Sequence, residues 1–286
     1  MSVSNALVWA SEELHRSENP RLDAEVLLRK VCGYSHAQLI SHSSDLLSGS
    51  QWQHYRHLVD ERINGKPIAY LTGTREFWSL AMEVTPDTLI PRPETELLVE
   101  QALAIIPTDQ AWTIADLGTG SGAIAIAIAK ERPLSIVIAV DNSLPALGIA
   151  RKNAVTHNAG NIRFCATDWL STFSGNHFDL IISNPPYIKI GDLHLSQGDL
   201  RFEPTSALTS GDDGLMDIRV IADSAKYSLK AAGYLLLEHG FDQQQAVKKI
   251  LSEDNYQNIH CVRDLAGNNR VTFCQTGRDS VSGIML

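Results

Sequence analysis

Residues 112–122 read Trp-Thr-Ile-Ala-Asp-Leu-Gly-Thr-Gly-Ser-Gly, and this stretch decides the fold. A short apolar strand runs into a glycine-rich turn, and the Ala/Ile-rich segment 123–130 that follows favours a helix. Glycines in such a turn permit positive φ and let a ligand approach the backbone closely. The spacing is Gly-x-Gly-x-Gly, which differs from the dinucleotide fingerprint, and no Gly-Lys-Ser/Thr of a phosphate loop follows. The sequence therefore disfavours a phosphate ligand.

A second apolar strand, 136–140, is followed directly by Asp141, roughly twenty residues after the glycine turn. An acidic residue at this distance can accept hydrogen bonds from ribose hydroxyls. The alternative is that Asp141 caps the next helix, where Ser143 and Pro145 already supply start signals. With the glycine turn in place, ribose binding is the favoured interpretation.

A third signal is the run Asn184-Pro185-Pro186-Tyr187, which follows the apolar strand 178–183. Proline cannot donate to a sheet ladder, so the strand must end here. Asn184 is left at the carboxyl end of a strand, where open α/β sheets place their ligands. Its side-chain oxygen and the Pro185 carbonyl are two acceptors, which suit a planar –NH2 group. Taken alone, a proline-stiffened loop capped by asparagine is an equally good interpretation.

Beyond residue 111, strand-like and helical segments alternate, which is typical of a doubly wound sheet. The turn signal at 266–269 predicts that the last two strands are antiparallel neighbours. The predicted strands are 112–116, 136–140, 161–165, 178–183, 233–238, about 256–263 and about 270–275.

Three domains are predicted along the chain. Residues 1–64 show helical periodicity and predict a helical N-terminal domain for substrate-protein recognition. Weak alternation over 77–84, with a turn at 85–88, predicts a β-hairpin linker spanning 65–90. The remaining residues, 91–286, form the predicted catalytic domain.

Composition limits the function classes. The chain has 286 residues, is 44% hydrophobic and carries a formal net charge of -9, so two domains with their own cores are expected. The acidic balance argues against a broad nucleic-acid surface. Four cysteines without paired spacing predict a reduced, cytoplasmic protein. Residues 1–10 lack a signal-peptide pattern, and no apolar stretch is long and uninterrupted enough to predict a membrane span.

The glycine turn, the acidic strand end, Asp168-Trp169 after a third strand, and the Asn-Pro-Pro-Tyr run occur in this order. Together they resemble the class I S-adenosylmethionine-dependent methyltransferases. The resemblance implies an α/β fold with a doubly wound, mostly parallel seven-stranded sheet whose last strand is antiparallel. The Asn-Pro-Pro-Tyr signature is shared by enzymes that methylate a nitrogen conjugated to a planar system, namely exocyclic base amines and glutamine amides.

Four further motifs are similar to those of the HemK/PrmC family, and the resemblance covers nearly the whole chain from about residue 62. They are 70–73 (Tyr-Leu-Thr-Gly), 91–96 (Pro-Arg-Pro-Glu-Thr-Glu), 211–215 (Gly-Asp-Asp-Gly-Leu) and 263–271 (Arg-Asp-Leu-Ala-Gly-Asn-Asn-Arg-Val). Members methylate the glutamine in the Gly-Gly-Gln tip of class I peptide chain release factors. The resemblance thus implies these factors as partners, S-adenosylmethionine as cofactor with S-adenosylhomocysteine as product, and no metal, stable nucleic-acid binding or membrane association.

The resemblance also assigns the site residues. The cofactor-binding residues would be Gly118, Thr119, Gly120, Ser121, Gly122, Asp141, Trp169 and Asn184. The substrate-binding residues would be Asn184, Pro185, Pro186 and Tyr187, of which Asn184 and Pro185 would be catalytic. Core packing is the alternative role for Trp169 and for Tyr187. The sequence leaves open the roles of Arg92, Glu94, Glu96 and Glu203.

Two alternative enzymatic functions remain. A glutamine methyltransferase of a large-subunit ribosomal protein would be a sibling, although its segment usually departs from the Pro-Arg-Pro-Glu-Thr-Glu seen at 91–96. An adenine-amino methyltransferase of DNA or RNA would use the same Asn-Pro-Pro-Tyr run, but this chain has no Lys/Arg-rich block. A non-enzymatic cofactor-binding module would have no reason to keep Asn184 and Pro185 together.

Overall fold

The structure is a computed structural model that describes residues 1–277. It contains two compact units. The first comprises Met1–Thr74 and His194–Phe202, and the second comprises Arg75–Leu193 and the described chain from Glu203 onward. The domain boundaries predicted from the sequence stay predictions, and the end of the predicted catalytic domain, 278–286, lies outside the described residues.

The first unit is helical. Its buried core includes Leu27, Leu28 and Val59, and the Tyr55 hydroxyl donates to the Ala24 carbonyl at 2.9 Å. Capping boxes begin two of the helices, which fixes where they start. The helices are α1 (Val3–Glu13), α2 (Pro20–Cys32), α3 (His36–Ser41), α4 (Gly49–Ile63) and α5 (Ile68–Thr72).

The segment 194–202 is held in this first unit by Arg62 near the end of α4. The guanidinium donates to Asp23 on α2 at 2.8 Å and to Asp199 at 3.1 Å. Arg201 in turn donates to the Asn64 carbonyl at 2.7 Å. A stretch of chain far along the sequence therefore completes the helical unit.

A two-stranded sheet precedes the main sheet, formed by β1 (Thr74–Phe77) and β2 (Leu80–Glu83). The prediction of one strand over 77–84 with its turn at 85–88 was wrong. The hairpin turns at Trp78 and Ser79, which have φ values of 53° and 57°. Positive φ at both central residues defines a tight hairpin turn, but it is normally signalled by Asn-Gly rather than Trp-Ser.

The seven-stranded sheet has the order β5-β4-β3-β6-β7-β9-β8. The first five strands in that order are parallel to one another. Strand β9 is antiparallel to both β7 and β8, which confirms the predicted fold class. Strand β7 begins earlier than predicted, at Leu229, and has an irregular register against β6. The strands are β3 (Thr113–Leu117), β4 (Ile136–Asp141), β5 (Ile162–Ala166), β6 (Phe178–Ser183), β7 (Leu229–Glu238), β8 (Gln257–Arg263) and β9 (Asn269–Gln275).

Helices cover both faces of this sheet, so two apolar clusters form. One includes Ile114, Val137 and Leu180, and the other includes Leu117 and Ile181. Within α7, Ala123 to Ala129 are all buried, as expected of a helix that is apolar on every side. The helices are α6 (Glu96–Ile105), α7 (Ala123–Glu131), α8 (Leu144–Thr156), α9 (Met216–Ser228) and α10 (Gln244–Glu253). No helix in residues 1–277 has the length and apolar character needed to cross a membrane.

Candidate active site

A pocket of about 290 Å³ opens at the carboxyl ends of the central strands. Strand β3 lies between β4 and β6, so the chain reverses its direction of winding at the β3–β6 pair. Open α/β sheets bind their ligands outside the strand ends at such a switch point. The pocket therefore lies where the topology places a ligand.

The pocket brings together six of the eleven predicted site residues. Its lining includes Gly118, Gly120, Asp141, Trp169, Asn184 and Pro186. Thr119, Ser121, Gly122, Pro185 and Tyr187 do not line it. Pro185 is buried, and the Thr119 hydroxyl donates to Asp116 at 2.6 Å, so some of these residues support the pocket from behind.

Gly118 and Gly122 in the glycine turn have positive φ, where a residue with a side chain would be strained. Gly118 has a φ of 70°, and an added Cβ would lie 3.4 Å from the ring of Trp169. Gly122 has a φ of 83°, and its Cβ would meet the backbone of Ala150 at 3.2 Å. The turn is thus pressed against Trp169 and α8, and its backbone remains open toward the pocket at Gly118 and Gly120.

Asp141 combines the two roles that the sequence left open. One carboxylate oxygen accepts the Gly120 amide at 2.9 Å, and the other accepts the Ser143 amide at 2.8 Å, at the start of α8. Burial raises the pKa of Asp141, and these backbone donors oppose the rise. Each oxygen keeps lone-pair capacity for a further donor from the pocket.

Trp169 likewise both packs and lines the pocket. It is half-buried, contacts the apolar cluster that includes Leu117 and Ile181, and lies beside Gly118. Its backbone has a φ of 43°, an uncommon value for an aromatic residue. The ring is therefore fixed at the pocket wall, where it could lie against a planar ligand.

Asn184 makes a hydrogen bond that the sequence did not indicate. Its Nδ2 donates to Oγ1 of Thr95 at 3.1 Å. Because the amide is planar, its Oδ1 is turned away from Thr95. Thr95 is buried immediately before α6, within the motif at 91–96.

Glu238, at the end of β7, is a second residue that the sequence analysis missed. It is 1% exposed, and the Tyr187 hydroxyl donates to its Oε1 at 3.4 Å. Burial raises the pKa of Glu238 to about 7, and the hydroxyls of Thr95 and Tyr187 oppose this rise. Nothing in the sequence distinguishes Glu238 from other residues near the end of a strand.

The pocket walls are braced by Glu203, whose side chain is fully buried. Its carboxylate accepts hydrogen bonds from the Arg92 guanidinium and from the Ile90 amide, the latter at 3.0 Å. Leu89 on one side and Pro204 on the other line the pocket. The Arg92–Glu203 pair therefore joins two wall segments. Glu96, another of the acids whose role the sequence left open, accepts the Trp78 amide at 2.8 Å and stabilises the hairpin.

The segment 211–215 packs against the backbone of the Asn-Pro-Pro-Tyr run. Gln243 donates to the Tyr187 carbonyl at 2.9 Å. Gly214 has a φ of 75°, and an added Cβ would lie only 2.3 Å from that same carbonyl oxygen. Tyr187 is thus placed by a close backbone approach that only glycine permits.

Residues 1–277 contain no group of three or more His, Cys, Asp or Glu side chains arranged to hold a metal ion.

Comparison with known families gives two matches that together cover most of the chain. Residues 5–73 match the model described as PrmC N-terminal domain, and residues 93–201 match the one described as Methyltransferase small domain.

Curated relatives match over almost their whole length. The release factor glutamine methyltransferase of Salmonella typhimurium is 47% identical over 272 residues, covering 95% of this chain and 98% of the relative. That of Coxiella burnetii is 45% identical over 278 residues, covering 97% and 100%.

Among solved structures, a methyltransferase from Pyrococcus furiosus is 18% identical, with a TM-score of 0.52 over 76% of this chain and 97% of that one. Identity at this level supports the fold alone.

Proposed function

Since this chain belongs to the family of release factor glutamine methyltransferases, we propose that it methylates class I peptide chain release factors. The acceptor would be the side-chain amide nitrogen of the glutamine in their Gly-Gly-Gln motif. S-Adenosylmethionine would be the methyl donor and S-adenosylhomocysteine the product. The modification would modulate translation termination, and the enzyme would act in the cytoplasm, where release factors work.

The observation that supports this proposal most strongly is the placement of Asn184 in the same pocket as the glycine turn and Asp141. An amide oxygen beside a nucleoside-type binding arrangement is what methylation of a planar –NH2 group requires. The glycine turn, Asp141 and Asn184 lie at the carboxyl ends of β3, β4 and β6, which are neighbours in one sheet. The sheet therefore holds all three in place.

The residues of the pocket suit S-adenosylmethionine. Asp141 would accept ribose hydroxyls, Trp169 would contact the adenine, and Gly118 and Gly120 would let the cofactor lie against the backbone. When bound, the cofactor supplies an electrophilic methyl group on a positively charged sulfur.

Asn184 and Pro185 would prepare the acceptor nitrogen. An amide nitrogen is a poor nucleophile because its lone pair is delocalised into the carbonyl. If the Asn184 side-chain oxygen and the Pro185 carbonyl accept both N–H hydrogens, the lone pair is oriented and the developing positive charge is stabilised. Pro186 and Tyr187 would complete the wall around the glutamine. Transfer to the neutral –NH2 group would leave the methylated nitrogen positively charged, and this cation is acidic enough to lose one proton to water, so no dedicated base is required.

We propose residues 1–64 as the domain that recognises the release factor, residues 65–90 as its linker and residues 91–286 as the catalytic domain. The formal net charge of -9 supports a protein rather than a nucleic-acid substrate.

A direct test uses labelled S-adenosylmethionine with four separate acceptors: a class I release factor, a large-subunit ribosomal protein, DNA and ribosomal RNA. We expect label in the release factor alone. A release factor whose Gly-Gly-Gln glutamine is replaced by alanine is the matched control and should stay unlabelled. Label in nucleic acid or in the ribosomal protein, with none in the release factor, would overturn the proposal.

Asn184→Ala tests the catalytic assignment. We expect turnover to fall about a hundredfold to a thousandfold, because a preorganised partner of the transition state is lost. Cofactor affinity should change little, since the loss falls on the chemical step. Single-turnover rates at saturating cofactor, with calorimetry for the cofactor, check both parts. Turnover within a few-fold of wild type would mean that the glutamine amide is held elsewhere.

A further inference from the structure

Two of the motifs singled out in the sequence, 91–96 and 263–271, contribute residues to a second pocket. This second pocket has a volume of about 340 Å³, and every described residue that lines it lies in 93–100 or 263–270. Among the described residues, it has no lining residue in common with the pocket at the glycine turn. A ligand in the second pocket is therefore held by residues that the cofactor pocket does not use.

The second pocket lies beside the Asn-Pro-Pro-Tyr run. Glu94 lines the second pocket, while the next residue, Thr95, is buried and accepts a hydrogen bond from Asn184 at 3.1 Å. Strand β8 has the same direction as β6 and β7, because β9 is antiparallel to β7 and to β8. The turn that follows β8 is thus at the same edge of the sheet as Asn184. A protein whose glutamine reaches Asn184 presents its neighbouring residues to the second pocket.

The turn between β8 and β9 holds a leucine out in solvent. Leu265 is fully exposed. The turn is fixed by Asp264, whose Oδ1 accepts the Ala266 amide at 3.0 Å and the Asn268 amide at 2.9 Å, and whose Oδ2 accepts the Arg270 guanidinium at 3.3 Å. A group that is ordered before binding loses little conformational entropy when a partner covers it. Leu265 is therefore suited to pack against an apolar side chain of a partner.

The charges around the second pocket favour a basic partner. Asp264 is paired with Arg270. Glu94 and Glu100 are exposed, and neither forms an ion pair within residues 1–277. Carboxylates in this position attract a lysine or arginine side chain and repel the phosphates of a nucleic acid. The lining carries four carboxylates and two guanidinium groups, namely Glu94, Glu96, Glu100, Asp264, Arg263 and Arg270.

We propose that the second pocket docks a segment of the release factor adjacent to its Gly-Gly-Gln loop. An apolar side chain of that segment packs against Leu265, and a basic side chain lies near Glu94 and Glu100. The proposal rests on the proposed function, which brings the glutamine to Asn184. Docking here strengthens binding of the intact factor and leaves the methyl-transfer step unchanged, because the second pocket does not touch the cofactor pocket. A short Gly-Gly-Gln peptide that lacks the docked segment gains nothing from it.

Leu265→Ser tests the apolar contact. We expect KM for the intact release factor to rise at least about tenfold, because the burial of a leucine side chain is lost. Both kcat and the KM for a short Gly-Gly-Gln peptide should stay within about twofold of wild type. Leu134→Ser is the matched control: Leu134 is also exposed, but it precedes β4 at the opposite edge of the sheet. This control should keep the wild-type KM.

Glu100→Lys tests the charge contact, with Asp109→Lys as a control that makes the same change of charge at an exposed position beyond the far end of α6. We expect KM for the intact factor to rise at least about threefold in Glu100→Lys alone. In wild type this KM should increase with salt concentration, and the increase should be smaller in Glu100→Lys. Unchanged KM in both Leu265→Ser and Glu100→Lys, with wild type active on the factor, would overturn the inference and leave the proposed function standing.

Binding measured without chemistry separates the inference from the proposed function. A release factor whose Gly-Gly-Gln glutamine is replaced by alanine is titrated by calorimetry into enzyme that holds S-adenosylhomocysteine. We expect Leu265→Ser to weaken this binding at least about tenfold relative to wild type and to Leu134→Ser. That result with no methylation of the natural factor would support the inference and defeat the proposed function. Equal binding in all three proteins would overturn the inference, as would a Leu265→Ser effect confined to self-association of this chain or to binding of ribosomal RNA.

Discussion

At the residue scale, the site is built from polar groups that are partly satisfied before any ligand arrives. Asp141 already accepts two backbone amides, and Asn184 already donates to Thr95. Such bonds fix side chains in place, so less ordering is required when the ligand binds. The contacts of Thr95 and Glu238 could not be found from the sequence, because they join elements that are far apart in the chain.

Asp141→Ala should weaken cofactor binding, because hydrogen bonds to a charged group contribute about 1.5–3 kcal/mol each. It should also loosen the glycine turn, since the Gly120 amide loses its acceptor. Calorimetry with S-adenosylhomocysteine measures the effect, and Asp109→Ala, at an exposed loop position, is the control. Unchanged affinity in Asp141→Ala would remove this residue from the cofactor site.

Asp116 gives the chain a pH-dependent stability. It is fully buried, accepts from Thr119 and Ala125 through one oxygen, and its other oxygen has no partner within residues 1–277. Burial raises its pKa to about 7, with a further contribution from the charge of Asp141. The folded state therefore holds a proton that the unfolded state releases near pH 4. The stabilisation is complete below that pH, decreases as pH rises toward 7, and is lost above it.

Asp116→Asn removes this titration and keeps an acceptor oxygen for both donors. Between pH 5 and pH 8, wild type should lose stability relative to the variant, by about 2–3 kcal/mol. Urea unfolding of both proteins at the two pH values measures the difference. Parallel losses in both proteins would mean that Asp116 does not titrate in this range.

At the element scale, the sheet was predictable and the hairpin turn was not. Buried parallel strands read as continuous apolar runs, so β3, β4 and β6 were located within a residue or so of their observed bounds. The turn at Trp78 and Ser79 carries no glycine or asparagine, and its positive φ values are supported by tertiary hydrogen bonds from Trp78 to Glu96 and Glu131. Hydrogen bonds between residues so far apart in the chain cannot be predicted from the local sequence.

Gly214→Ala should disturb the Asn-Pro-Pro-Tyr run, because the new Cβ would lie 2.3 Å from the Tyr187 carbonyl oxygen. Gly267→Ala is the matched control: its φ is also positive, at 83°, but nothing lies within 4 Å. Both variants should lose about 1–2 kcal/mol from backbone strain. Gly214→Ala should lose more and should also lower kcat. Equal stability and equal kcat in the two variants would contradict this explanation.

At the scale of the whole molecule, the two compact units suggest a division of labour. Every described residue that lines the candidate active site belongs to the second unit. The proposed role of the helical unit is therefore to recognise the release factor, which predicts that its loss affects protein substrates more than chemistry.

A variant lacking residues 1–74, with 194–202 replaced by a flexible linker, tests this division. We expect it to bind cofactor and to methylate a short Gly-Gly-Gln peptide at a rate comparable to that of the full chain. Methylation of the intact release factor should fall at least about tenfold in kcat/KM. An unchanged rate with the intact factor would show that the helical unit is not needed for recognition.

The hydrogen bond between Arg62 and Asp199 bears on how this chain can be re-engineered. The helical unit is discontinuous in sequence, because a segment from the middle of the catalytic half completes it. If the N-terminal helices of this chain were replaced at a single splice point, the segment 194–202 would lose Arg62 as the partner of Asp199. A chimera intended to transfer substrate choice must therefore carry both segments from the same parent.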